Sequence, residues 1–250
     1  MRKCLGMFHP RRITCWKFKM RKITKILAAA LMLASPALAE NDPVVVELYT
    51  SQGCSSCPPA DAFLHKLADR EDVIALAMHV DYWDYIGWKD IFASAENTKR
   101  QRAYARAGGR KMIYTPQMVI NGSDHVVGNR PRDVLEVIDK HKSRAVPVSL
   151  EATRQGNKIT IRGTAEKPLK GDMTVQLVRY TPRAVVDIKR GENAGRKLSY
   201  ANIVTDFEVL GNWNSRKPLA MQATVQGDEP VVILVQQKDA GPIVAAARVK

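Results

Sequence analysis

Cysteine is scarce in this chain, and its scarcity limits the chemistry that the protein can carry out. The 250 residues include four cysteines, of which only Cys54 and Cys57 lie beyond residue 39. A zinc site usually needs a second Cys or His pair at a set spacing, and none accompanies these two. A Ser-His-Asp arrangement, a phosphate-binding loop and paired glycosidase-like carboxylates are also missing. We therefore predict no metal among the site residues and no cofactor.

Acidic residues are absent from the first 39 positions, which carry nine of the 39 basic residues. The whole chain has a formal charge of +14, which is typical of a nucleic-acid binder. Beyond residue 39, however, 30 basic residues face 25 acidic ones, a net charge of +5. A modest excess of this kind suits an ordinary solvated surface. We therefore predict no nucleic-acid partner.

The N-terminal segment has the pattern of an export signal, with its cleavage site at residues 37–39. A basic stretch at 21–25 precedes an apolar run at 26–33, and Ala37-Leu38-Ala39 follows. The run is shorter than the roughly 20 residues that cross a bilayer, although a retained anchor is the alternative. We predict a signal peptide over 1–39, with 1–19 as an over-extended gene start. The mature chain would be periplasmic or secreted, without stable membrane insertion.

The spacing of Cys54 and Cys57 favours redox chemistry over a scaffold role. Disulfides persist in exported proteins, but a bond across two residues closes almost no loop and stabilises little. A β-branched run at 44–49 precedes the pair, and Pro58-Pro59 begins a helix directly after it. A thiol at a helix N-terminus has a lowered pKa. We predict that Cys54 is the exposed nucleophile and Cys57 the shielded resolving thiol.

Two other interpretations of the cysteine pair stay open. The disulfide is inert and structural in the first, so that the protein is a non-catalytic binding module. In the second, the two thiolates bind Cu(I), a metal that soft ligands favour, and the protein delivers metal. Four further side chains are available for such a site: His79, His125, Met78 and Met118.

The order of elements predicts an α/β domain followed by a β-rich one. Apolar strands and amphipathic helices alternate as β-α-β-α-β-β-α over residues 40–145. Residues 146–250 contain short strand-like runs separated by turn residues, which is typical of an antiparallel β-sandwich. The turn-rich stretch 191–196 in this second part either caps the redox site or is a plain hairpin loop.

The stretch Val46–Asp61, VELYTSQGCSSCPPAD, resembles the signature of a family of exported bacterial proteins filed as a domain of unknown function. The resemblance extends over residues 43–250 and includes four further stretches: HVDYWD at 79–84, RQR at 100–102, YTPQMVING at 114–122 and GENAGR at 191–196. It implies a thioredoxin-like fold for the first domain.

Membership of the thioredoxin-like superfamily implies two further positions. A cis-proline begins the third strand and faces the cysteines, which corresponds to Thr115 and Pro116 as substrate-binding residues. A trans proline that only begins an edge strand is the alternative. The superfamily also implies a buried acid in the first strand, and Glu47 lies one position away from it. We therefore expect a thiol–disulfide oxidoreductase that exchanges disulfides with a protein or a small thiol.

Overall fold

The computed structural model describes residues 43–144 and 147–250, which belong to one compact unit. The predicted signal peptide over 1–39 lies outside the described residues, as do Cys4 and Cys15. Within the described ranges, no helix has the length and apolarity needed to cross a membrane.

The first part of the chain has the predicted order of elements. These are β1 (Val44–Thr50), α1 (Pro58–Ala68), β2 (Val73–His79), α2 (Ala95–Ala107), β3 (Gln117–Ile120), β4 (Asp124–Val127) and α3 (Pro131–Lys142). Proline opens both α1 and α3, where the missing N–H costs nothing. Ser94 caps α2, because its hydroxyl accepts a hydrogen bond from the Glu96 N–H at 3.1 Å.

The second part of the chain is built from strands. These are β5 (Val148–Gln155), β6 (Lys158–Ala165), β7 (Met173–Asp187), β8 (Lys197–Trp213), β9 (Leu219–Thr224), β10 (Val231–Gln237) and β11 (Ile243–Arg248). The sequence analysis did not identify β8, β9 and β11. β8 and β9 lack a continuous apolar run, and β11 is rich in alanine, which has little strand preference.

Strands from both parts of the chain share one large sheet. Its eight strands lie in the order β11-β10-β7-β8-β2-β1-β3-β4. β1 and β2 are parallel, and β8 joins them beside β2, where Ala77 lies opposite Ile203. A second, antiparallel sheet contains β5, β6 and β9. The domain boundary predicted at 145–146 falls on residues outside the described ranges and stays a prediction.

Both faces of the large sheet are buried. Alternate residues of β1 point to opposite sides: Val44, Val46 and Leu48 pack with α1 and α3, whereas Val45 and Tyr49 pack with α2, β10 and β11. A separate core joins the three-stranded sheet to β7 and β10. This burial holds β1 and α1 rigidly, so the turn between them has a fixed position.

Candidate redox site

Cys54 and Cys57 form a disulfide in the turn that connects β1 to α1. Cys57 is the N-cap residue of α1, and its backbone already has helical angles. The Cys57 N–H donates to the Cys54 carbonyl oxygen at 3.2 Å, which closes the turn. The sequence therefore placed the pair at the correct junction of strand and helix.

The exposure predicted for Cys54 is wrong. Cys54 is 1 % exposed and Cys57 0 %, whereas Ser55 and Ser56 between them are exposed. The Cys54 Sγ lies 3.4 Å from the Ser56 hydroxyl. Cys54 is buried because residues far along the chain cover the turn, and local sequence carries no signal of such a contact.

The cover is the capping loop, which we define as residues 188–196 between β7 and β8. The Asn193 side chain is buried within it, and its amide donates to the carbonyl oxygens of Gln52 at 2.9 Å and Cys54 at 3.0 Å. Arg196 holds the Asn193 amide oxygen at 2.9 Å. The Ser55 N–H donates to the Glu192 carboxylate at 3.3 Å. Of the two roles considered for residues 191–196, the contacts show the capping one.

The aromatic loop after β2 packs against the same turn. The Trp88 indole donates to the Gln52 side-chain oxygen at 2.8 Å. A side-chain carbon on Gly53 would lie 3.2 Å from the Ile86 Cδ1 and 3.3 Å from the Trp83 Cβ, so a larger residue there would require this loop to shift slightly. Trp83 and Trp88 therefore form one wall of the site, and the loop packs tightly onto it.

Thr115 and Pro116 lie on the other side of Trp83. The Trp83 indole donates to the Thr115 hydroxyl at 2.7 Å, and the Thr115–Pro116 peptide bond is cis, which confirms that prediction. Pro116 and Ala60 of α1 both pack around Gly128. The structure thus brings the cis-proline near the start of α1, on which the cysteine turn lies.

A buried polar cluster adjoins the cysteine turn through backbone contacts to Gln52 and Cys57, and we define it as Asp61, His79, Asp90 and Tyr200. The His79 Nδ1 lies 2.7 Å from the Asp90 carboxylate, which also accepts from the Gln52 N–H at 2.8 Å. His79 and Tyr200 have ring centroids 4.8 Å apart. Asp61 and Asp90 were not predicted as site residues. The position of Asp61, four residues after Cys57 in the same helix, could have indicated that its side chain lies near Cys57.

Three atoms of this cluster are buried without a hydrogen-bond partner: the Asp61 Oδ2, the His79 Nε2 and the Tyr200 hydroxyl. Burial raises the pKa of Asp61 to about 7, and the charge of Asp90 adds to this effect. His79 and a hydrogen bond from Thr50 oppose it. Asp61 can therefore gain or lose a proton near neutral pH.

Glu47, the acid of β1, serves a different purpose. It is fully buried and accepts from the Arg100 Nε at 2.6 Å, and its second oxygen accepts from the Tyr104 hydroxyl. Arg100 belongs to the basic stretch of α2, and its guanidinium also lies over the Phe207 ring. The pair connects β1 to α2 and leaves Glu47 no free oxygen.

The side chains considered for Cu(I) binding have other surroundings. His79 pairs with Asp90, the His125 Nδ1 lies 3.0 Å from the Gln117 amide, and Met78 and Met118 are buried in β2 and β3. Among the described residues, no three His, Cys, Asp or Glu side chains are grouped to hold a metal ion.

Comparison with known proteins identifies the family. The model of a family described as protein of unknown function (DUF1223) matches residues 45–236. The crystal structure of protein AGR_C_4864 from Agrobacterium tumefaciens is 35% identical, with a TM-score of 0.71, over 82% of this chain and 92% of that one.

A second solved structure, HBP35 of Porphyromonas gingivalis, is 13% identical, with a TM-score of 0.54, over 83% of this chain and 74% of that one. At this identity the likeness concerns the fold alone. A search among curated proteins gave no match. On the strength of the family model and the 35% identical structure, the chain belongs to the DUF1223 family.

Proposed function

We propose that this protein is an exported thiol–disulfide oxidoreductase whose redox centre is the Cys54–Cys57 pair. The observation that carries the proposal is the disulfide at the start of α1, with Cys57 as the helix N-cap. Unpaired N–H groups and the helix dipole stabilise a thiolate in such a position. A two-residue loop also gives the bond little structural value.

A thioredoxin-like arrangement is part of the proposal. The strand order β2-β1-β3-β4, with β1 and β2 parallel and β3 antiparallel, supports it. So do α1 and α3 on one face of these strands and α2 on the other. In this arrangement Thr115 and Pro116 contact the substrate beside the cysteines.

The proposed reaction is dithiol–disulfide exchange with a protein or a small thiol. The Cys54 thiolate attacks a substrate disulfide and releases one substrate thiolate, which leaves a mixed disulfide. Cys57 then attacks the Cys54 sulfur and releases the second substrate thiolate. Two electrons pass to the substrate, and the reverse sequence oxidises a substrate dithiol.

Burial of Cys54 adds a step to this reaction. A nucleophile reaches a disulfide sulfur only along an open path, and the capping loop closes that path in the oxidised protein. Exchange therefore requires the loop to move. Two glycines within the loop, Gly191 and Gly195, have left-handed backbone angles, with φ of 77° and 79°.

The same burial favours a second candidate, a binding module with a purely structural disulfide. Structural disulfides resist reduction and are shielded from attack, and Cys54 is 1 % exposed. In this case the capping loop stays closed and the cysteines have no chemical role.

Turnover of model substrates separates the two candidates. We would measure insulin reduction with dithiothreitol as electron donor, and oxidation of a dithiol peptide by the oxidised protein. The oxidoreductase accelerates at least one of these reactions, and the acceleration disappears in Cys54→Ser. If neither reaction is faster than without protein, the structural candidate stands.

Export forms a separate part of the proposal and has its own test. The sequence pattern at 37–39 predicts cleavage after Ala39. Intact-mass analysis of the protein from the periplasm and the culture medium of its bacterial host should give a chain that begins at Glu40. A chain that retains residues 21–39 in the cytoplasm would refute export.

A further inference from the structure

Asp61 lies on the same face of α1 as Cys57. The Asp61 N–H donates to the Cys57 carbonyl oxygen at 3.1 Å, the regular helical bond between residues four apart. Side chains at this spacing are neighbours, with Cβ atoms about 5–6 Å apart. Cys57 is 0 % exposed and Asp61 is 4 % exposed. The carboxyl group and the resolving cysteine therefore share one enclosed space.

Asp61 differs from the other buried acids of the described residues in having a free oxygen. Its Oδ1 accepts from the Thr50 hydroxyl at 2.8 Å, but its Oδ2 has no partner. Both Glu47 oxygens and both Asp90 oxygens accept hydrogen bonds. A buried oxygen without a partner destabilises the folded protein, so a merely structural role does not account for it.

Every element around Asp61 contributes to its proton affinity. Thr50 of β1 donates a hydrogen bond, His79 of β2 attracts the carboxylate, and Asp90 repels it. Tyr200 of β8 faces the same space with an unpartnered hydroxyl. Outside the cluster, the charge of Arg196 also acts on Tyr200. The pKa near 7 that results suits an acid–base group at neutral pH.

His79 is arranged to pass a proton onward. An ionised carboxylate only accepts hydrogen bonds, so the His79 Nδ1 donates to Asp90. The opposite nitrogen, Nε2, is buried without a partner. The Asp90 contact therefore holds the His79 ring while its second nitrogen stays unpartnered in the same cluster as Asp61.

We propose that Asp61 accepts the proton of the Cys57 thiol when Cys57 resolves a mixed disulfide, and that His79, held by Asp90, is the next acceptor. This inference rests on the exchange reaction proposed above and adds its acid–base residue. It also assigns a role to the three unpartnered atoms of the buried polar cluster.

The step is balanced when the substrate is a disulfide. The Cys57 S–H bond breaks and its proton moves to the Asp61 carboxylate. The Cys57 thiolate forms a bond to the Cys54 sulfur, and the bond between Cys54 and the substrate sulfur breaks. The substrate thiolate leaves with the electron pair and is protonated by solvent. The protein is left with the Cys54–Cys57 disulfide, and Asp61 then loses its proton through His79. A dithiol reductant must reduce the disulfide before the next turnover.

The test follows the two thiolate releases when the reduced protein reacts with 5,5′-dithiobis(2-nitrobenzoate) in a stopped-flow instrument. The first release reports the attack by Cys54, and the second reports resolution by Cys57. Both rates are measured from pH 5 to 9 for the wild-type protein, Asp61→Asn and Thr50→Val. Asp133→Asn is the control, because it makes the same change in the first turn of α3, where the side chain is exposed.

We expect the wild-type resolution rate to rise with a midpoint near pH 7. In Asp61→Asn the resolution rate should fall at least tenfold at pH 6.5. Its pH dependence should then follow the ionisation of the Cys57 thiol itself, with a midpoint at about pH 8.5. In Thr50→Val the carboxylate remains but loses a hydrogen bond that lowers its pKa, so the midpoint should move upward. The first release and the Asp133→Asn control should not change.

Different results overturn different claims. In one outcome, Asp61→Asn and Thr50→Val both show a normal first release and the same pH dependence of resolution as the wild type. That result overturns the role of Asp61 but leaves the proposed oxidoreductase activity intact. No first release from the wild-type protein overturns both. Thr50→Val keeps the test decisive if Asp61→Asn does not fold, because it retains the carboxylate.

Discussion

The Asn193 side-chain amide donates hydrogen bonds to the backbone of Gln52 and of Cys54, across 141 and 139 residues of sequence. The two acceptor carbonyls flank Gly53, directly before the disulfide. One side chain from the β-rich part of the chain therefore holds the cysteine turn in place.

Replacing Asn193 by alanine should open the site. Two buried hydrogen bonds are lost, each worth about 1 kcal/mol, so the open population should rise about tenfold to thirtyfold. We expect the rate of disulfide reduction by dithiothreitol to rise by a similar factor, measured by alkylation of the released thiols. Asn157→Ala removes a side-chain hydrogen bond in an exposed turn and is the matched control. A change of less than twofold in Asn193→Ala would show that the loop is not the barrier.

The two cysteines should behave differently when each is replaced by serine. In Cys57→Ser the attacking thiol remains without its resolving partner, so a mixed disulfide at Cys54 should accumulate with glutathione disulfide. In Cys54→Ser only the thiol assigned to resolution, Cys57, remains, and it should form little adduct. Intact-mass spectrometry after a fixed incubation measures both. Equal adduct formation by the two variants would contradict the assignment of Cys54 as nucleophile.

The Glu47–Arg100 pair should matter for stability. Glu47 is fully buried and the Arg100 side chain is 13% exposed, so removing one partner leaves a buried charge unpaired. We expect Glu47→Gln and Arg100→Met each to lower the free energy of unfolding by about 3–5 kcal/mol. The double variant should lose clearly less stability than the two single variants lose together. Urea unfolding with the disulfide intact measures all three losses. Additive losses would mean that the two side chains do not stabilise each other.

Asp61 should make stability depend on pH. Its pKa is raised on folding from 3.8 to about 7, so the folded protein binds its proton more tightly than the unfolded chain. The stabilisation that protonated Asp61 contributes is fully present below about pH 4. It is lost as the pH rises to about 7, and above that the contribution of Asp61 no longer changes. The total change is at most about 4 kcal/mol. Asp61→Asn should therefore gain stability relative to wild type between pH 4 and 7. Urea unfolding measures the free energy of unfolding of both proteins. If the difference between Asp61→Asn and the wild type is the same at every pH from 4 to 7, the raised pKa of Asp61 is contradicted.

Local patterns in the sequence were sufficient to predict much of the fold. Apolar runs identified β1 to β4, and Pro58 and Ser94 marked the starts of α1 and α2 correctly. β8 was missed because its buried residues, such as Tyr200 and Ile203, are interspersed with polar ones and form no continuous apolar run. The pairing of β8 with β2 joins distant segments, and no local preference indicates it.

The same limit applies to the site. The cysteine pair follows from spacing, and the cis bond at Pro116 followed from the resemblance to a superfamily. The burial of Cys54 depends on Asn193, and the free oxygen of Asp61 depends on the packing of β2 and β8 around α1. Contacts of this kind arise only when the chain has folded.

The reduction potential of the Cys54–Cys57 pair tests the central claim most directly. It is obtained by equilibration with glutathione at pH 7, and pH-dependent alkylation gives the pKa of the Cys54 thiol. We expect a potential between about −120 and −270 mV and a pKa below about 7.5, the range of exchange catalysts. A potential below about −300 mV with an unreactive Cys54 would identify a structural disulfide and contradict the oxidoreductase.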